Sequence, residues 1–193
     1  MKLFKRKLKA KLEPEKIKDE VPIESADKDT FTDSRDGHIY KTVKIGNQIW
    51  MAENLAYKTS SGCWADANDE SNVAELGYLY NWETALKVCP KGWRLPTKKD
   101  FENILEGLGD SYEAYEALIP GGGTGLSLLF GHWHDQDPNA DTGGDYAFFW
   151  SSTSSEEDAS CAWTLDIDGE NDMTYLNHEF SKAEGISVRC IKD

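Results

Sequence analysis

Positive charge is scarce in this chain: 21 Lys and Arg stand against 35 Asp and Glu over 193 residues, a formal net charge of −14. Such a surface repels phosphate, so nucleic acid is not an expected partner. No stretch approaches the roughly 20 apolar residues of a transmembrane helix. The basic start is not followed by the apolar run, about 7–15 residues long, of a secretory signal, so no signal peptide is visible. Close Cys-x-x-Cys spacing is missing among Cys63, Cys89, Cys161 and Cys190, which argues against a zinc knuckle. A nucleophile elbow, a P-loop and a His-Glu-x-x-His motif are missing too. The Gly-rich run at 121–125 lacks the Lys-Ser/Thr that cradles phosphates and reads as a loop.

Aromatic residues, in contrast, are plentiful: seven Trp, eight Tyr and seven Phe. They can fill the core of one domain of ordinary size, expected over residues 31–193. Residues 1–30 form a charged, aperiodic extension expected to be disordered. Its first 18 residues carry a net +6, which leaves −20 for the remainder. Leu3, Phe4, Leu8 and Leu12 also give this tail a loosely helical apolar spacing, the pattern of a basic helix lying on an anionic membrane surface.

Within the body, alternation at Tyr40, Thr42, Val43 and Ile45, a turn at Gly46-Asn47 and a strand at 48–51 predict a β-hairpin. Asn81 caps a helix that runs to Cys89, with Trp82, Ala85, Leu86 and Cys89 on one face. A second helix starts at Thr97, where Asp100 nearly completes a capping box, and shows Phe101, Ile104, Leu105 and Leu108 inward. Residues 126–130, 147–151, 162–167, 173–176 and 186–191 read as short strands, with Asp168-Gly169 as a hairpin turn. Two early helices and many later strands argue for an α+β domain rather than a βαβ array. Trp50, Trp82, Trp93, Trp150 and Trp163 are expected in the core, and the acidic stretches 66–70 and 154–158 at the solvated surface. Four widely spaced cysteines allow three pairings.

The stretch 33–55, with Tyr40-Lys-Thr-Val-Lys-Ile-Gly-Asn-Gln-Ile-Trp-Met-Ala-Glu-Asn-Leu55, resembles the opening signature of the Fibrobacter succinogenes major paralogous domain family. The resemblance continues through Gly77-Tyr-Leu-Tyr-Asn-Trp82, Cys89-Pro-Lys-Gly-Trp-Arg-Leu-Pro-Thr97, Phe149-Trp-Ser-Ser-Thr153 and Ser187-Val-Arg-Cys-Ile-Lys-Asp193. More distantly, Trp93 to Thr97 and Val188-Arg-Cys190 look like segments of the formylglycine-generating-enzyme domain. That resemblance implies a C-type-lectin-like fold, with two short helices packed on small twisted antiparallel sheets joined by long loops. It also implies a disulfide Cys89–Cys190, which leaves Cys63 and Cys161 either as a second pair or as two free thiols. Disulfides would place the protein in an oxidising compartment, outside the cell or on its surface.

Catalysis of the formylglycine-generating type needs two neighbouring reactive cysteines, and Cys190 has no neighbour, so the chain is read as a non-enzyme. A binding module with a carbohydrate or protein ligand, acting as a monomer, is expected instead. An enzyme related to that fold and a purely structural envelope protein are the alternatives. The candidate ligand residues are His132, Trp133, His134, Asp135, Asp137 and Asn139, because an aromatic ring can stack on a sugar while Asp and Asn bond its hydroxyls. His132 and His134 are expected on one side of a strand, where they could hold a metal. Asp135, Asp137, Asn139 and Asp141 follow the alternate spacing of calcium loops. However, Ala140 replaces the turn glycine and Tyr146 the bidentate Glu, so this is not an EF-hand. Asp135, Asp137 and Asp141 stay as candidate calcium ligands, and no other cofactor is expected.

Overall fold

The computed structural model describes residues 29–135 and 143–193. The tail therefore lies almost wholly outside the described residues. The hairpin forms where the alternation places it: β2 (Ile39–Ile45) and β3 (Gln48–Met51) pair with Ile45 opposite Gln48. Gly46 supplies the positive φ of the turn (+58°). β1 (Thr30–Thr32) adds to the outer side of β2. After β4 (Cys63–Ala65), α1 (Val73–Leu76) and β5 (Tyr78–Tyr80), the Asn81 side chain accepts from the Thr84 N–H and starts α2 (Trp82–Val88). Its buried positions are Ala85 and Val88, whereas Leu86, expected inward, is 40% exposed. A seven-residue helix has room for one narrow stripe, and Val88 completes it.

β6 (Trp93–Arg94) leads to α3 (Lys98–Glu106), where Thr97 and Asp100 form a complete capping box. A further helix, α4 (Ser111–Leu118), escapes the sequence reading although Asp110 and Glu113 cap it in the same way. The described residues thus hold four short α-helices, not two. They continue through β7 (Tyr146–Ser154), β8 (Cys161–Asp168), β9 (Met173–Ser181), β10 (Ile186–Ser187) and β11 (Ile191–Lys192).

The strands form two curled sheets, ordered β1-β2-β3-β11-β6 and β4-β5-β10-β7-β8-β9. All neighbours are antiparallel except β10 and β7. The region 186–191, read as one strand, is therefore two strands in different sheets. At the outer edge of the six-stranded sheet, Ser111 Oγ donates to the Thr174 carbonyl (2.6 Å) and accepts from its N–H (3.0 Å). α4 so covers part of an edge that would otherwise invite another strand.

Two apolar clusters make the core, one around Tyr40, Met51, Tyr80, Trp93 and Trp150, the other around Trp50, Phe101, Leu118, Phe149 and Leu165. Trp82 and Trp163 are only half-buried, against expectation. Lys182 Nζ lies 4.4 Å from the Trp82 ring centroid, and Lys98 Nζ lies 3.5 Å from that of Trp163. Their amphipathic rings serve as seats for cations at the surface.

Residues 126–130 are not a strand. Leu126 and Leu128 are buried, but Ser127 sits at φ +52° and the Leu126 and Ser127 carbonyls accept from Arg189. Those main-chain groups serve a guanidinium instead of a ladder. Arg189 is 1% exposed and also donates to the Met51 carbonyl (3.3 Å) and Asn54 Oδ1 (2.7 Å), while its Nε has no partner. Burial pushes its pKa down to about 9, which still leaves it charged at neutral pH.

Next to it, Cys190 is joined to Cys89, with Cα atoms 6.1 Å apart and a sequence separation of 101. This disulfide fixes α2 to the segment that links the sheets. Cys63 and Cys161 are free thiols, so the second pair does not form. Cys63 lies on β4 and Cys161 on β8, with β5, β10 and β7 between them in the sheet. Among the described residues no helix is long and apolar enough to cross a membrane.

Candidate functional site

Residues 131–135 are the described part of the candidate ligand segment; Asp137, Asn139 and Asp141 lie outside the described residues. The segment is not a full strand. It makes two isolated antiparallel bridges, Gly131 with Tyr146 at the start of β7 and His134 with Gly185 just before β10. Both seats require glycine. A Cβ on Gly131 would come within 2.8 Å of Asp66 Oδ2, and one on Gly185 within 2.7 Å of the Trp64 ring.

In an extended segment alternate side chains leave on opposite sides, and the contacts here follow that rule. His132 and His134 turn toward β4. Asp66 Oδ2 accepts from the His132 N–H (2.7 Å), and His132 Nδ1 lies 3.1 Å from Asp66 Oδ1. His134 stacks on Trp64 with ring centroids 4.2 Å apart, and burial pushes its pKa down. The two histidines thus share a side, as expected, but engage different partners. No group of three metal-ligating side chains occurs among the described residues. Asp66, read as a solvated turn residue, is 2% exposed. Its carboxylate is the anchor of the segment.

Trp133 leaves on the other side and stands edge-on to Phe148 (centroids 5.3 Å apart) and Phe180 (6.3 Å). Tyr146 stacks parallel to Phe148 at 6.0 Å. Trp133, Tyr146, Phe148 and Phe180 are all partly exposed. They make a half-buried aromatic shelf along the six-stranded sheet, with Trp133, Phe148 and Phe180 packed against the core cluster that holds Tyr80 and Trp150.

A column of polar groups runs beside it, because residues directly opposite on antiparallel strands share a face. Tyr146, Phe148 and Trp150 of β7 oppose Asp168, Asp166 and Thr164 of β8. On β9, Tyr175 opposes Asp166 and Asn177 opposes Thr164. Asp166 is 1% exposed and accepts from Thr164 Oγ1 (2.5 Å) and Asn177 Nδ2 (3.0 Å). Burial outweighs those bonds and pushes its carboxyl up to about 6. Tyr146 OH donates to Glu170 Oε2 at 2.7 Å. Across the bridge at Gly185, burial and then the charge of Asp135 push the half-buried Glu184 up to about 7.

The sequence reading found Trp133 but not its neighbours. The alternation of Tyr146, Phe148 and Trp150 against Ala147 and Phe149 was the available signal for the shelf. Two open grooves lie elsewhere, one of ≈440 Å³ between residues 57–62 and α2, the other of ≈490 Å³ beside Glu53 and Ser127. Tyr57 is the one aromatic ring that lines either of them.

No curated protein and no solved structure matches the chain. The model of the Fibrobacter succinogenes major domain matches residues 43–192, which take in the six-stranded sheet, the disulfide, the shelf and all of the five-stranded sheet except β1 and the start of β2. The chain belongs to the Fibrobacter succinogenes major domain family.

Proposed function

We propose that this is a non-catalytic binding domain with a C-type-lectin-like fold, displayed on or released from the cell surface, and that its ligand is a carbohydrate. The observation that carries the reading is the shelf of Trp133, Tyr146, Phe148 and Phe180, with the exposed carboxylate of Glu170 on the Tyr146 hydroxyl. Ring faces suit the apolar face of a sugar, and carboxylates accept from its hydroxyls. The bond from α2 to Cys190 supports the lectin-like topology and an oxidising home. It also occupies the sulfur that an oxygenase of the formylglycine-generating type would use as a thiolate.

A glycan array is the test, run with calcium and again with chelator because Asp135 belongs to the candidate calcium set. Specific glycans are expected to bind, with loss in Trp133→Ala and full binding in Trp163→Ala. An array without a hit, or hits indifferent to Trp133→Ala, would sink the reading.

A further inference from the structure

The charged groups around the shelf are of one sign. Glu184 lies at one end, next to the bridge between Gly185 and His134, where burial and then the charge of Asp135 raise its carboxyl. Glu170 lies at the other end, on the Tyr146 hydroxyl. Among the described residues no ion pair reaches Glu184. The nearby cations are engaged elsewhere: Lys182 Nζ donates to Ser154 Oγ (2.6 Å) and the Ala159 carbonyl (2.5 Å) beneath Trp82, and Lys98 sits on Trp163. Aromatic faces with carboxylates at their rim attract a cation twice over, through the ring quadrupole and through Coulomb attraction. The same rim repels a carboxylated sugar.

We infer that the shelf selects glycans bearing a free amine, that is amino sugars in unacetylated form, with the ammonium over the rings and answered by Glu184. This rests on the carbohydrate reading and names its ligand class. Seating one ammonium on such a surface corresponds to a preference of about tenfold over the same sugar without charge.

The experiment is titration calorimetry with three oligomers of equal length: N,N,N-trimethylated glucosamine, N-acetylglucosamine and galacturonic acid. It is run above pH 7, where Glu184 is ionised and the trimethylammonium charge does not titrate. The trimethylated oligomer is expected to bind about tenfold tighter than the acetylated one, and the uronic acid weakest. Glu184→Gln should shrink that preference several-fold while the acetylated oligomer keeps its affinity. Trp133→Ala should weaken both. An acetylated or acidic oligomer that binds as tightly as the cationic one overturns the inference but leaves the carbohydrate reading standing. Cationic binding unchanged by Trp133→Ala overturns it as unspecific attraction to an acidic surface. Absence of binding by all three, together with an empty array, removes both. Should Glu184→Gln fail to fold, the ranking with the unaltered protein decides.

Discussion

Where the chain passes from the six-stranded to the five-stranded sheet a buried cation, Arg189, joins main chain from residues 51, 126 and 127. In the six-stranded sheet a buried anion, Asp166, is held only by side chains of its own and the next strand, Thr164 and Asn177. Arg189 gathers carbonyls that have no ladder to enter, so its charge is part of the architecture. Asp166 lies buried between Phe148 and Tyr175 on the neighbouring strands, and its charge is not needed to close any main chain. The first region is locked by a disulfide and a guanidinium; the second carries half-exposed aromatic rings and a buried carboxyl raised to about 6. One domain thus separates what holds it together from what it offers to a partner.

Cutting the lock should give the largest effect. Replacing Cys89 and Cys190 by Ala releases a loop closed across a sequence separation of 101, and the chain-entropy model gives a loss of about 5 kcal/mol. Urea unfolding measures it, and a thiol titration of the unfolded, unreduced parent should find only Cys63 and Cys161. Glycan binding by whatever fraction stays folded should persist, and its loss would show that the two regions are not separate.

Arg189→Met should cost about 3–5 kcal/mol, because it strands buried carbonyls and the Asn54 side chain. A neutral outcome in the same urea experiment would mean that water satisfies them.

The pH dependence sharpens the contrast from the other side. Asp166 rises from 3.8 to about 6, so the folded state holds this proton more tightly than the unfolded chain does. Stability is therefore gained as pH falls through 6 toward 4 and lost as it rises, by about 3 kcal/mol in all. Glu184, raised to about 7, acts in the same direction and less strongly because it is half-exposed. Thermal unfolding across this range should be flatter in Asp166→Asn, and an unchanged slope would assign the effect to another group.

The smallest stability effects should come from the tryptophans. Trp133→Ala and Trp163→Ala, both half-buried, should each cost about 1–2 kcal/mol, yet only the first should abolish glycan binding.

What the sequence discloses follows the range of each interaction. The β2–β3 hairpin, the Asn81 cap and the Thr97–Asp100 box are decided within a few residues, and all are legible. α4 has an equally local cap, but its apolar residues Ala114, Tyr115 and Leu118 span a single turn and give a short periodic signal. Residues 126–130 look like a strand because Leu126 and Leu128 alternate inward; their carbonyls answer an arginine more than sixty residues away. Residues 186–190 alternate, and the single break in the pattern, the apolar pair Cys190 and Ile191, is too slight to show that one sheet gives way to the other there. At the site, Trp133 stands out by type alone. Asp66 resembles any acidic turn until His132, 66 residues later in the chain, is placed over it.

The two-residue strands β10 and β11 lie inside their sheets, β10 between β5 and β7 and β11 between β3 and β6. Residues 186–192 are thus an inner strand of both sheets and carry the second half of the disulfide. While the ribosome is still adding earlier residues, neither sheet can be completed, and Cys89 has no Cys190 to meet. Both sheets and the disulfide therefore close together in one late step, once this segment has been made.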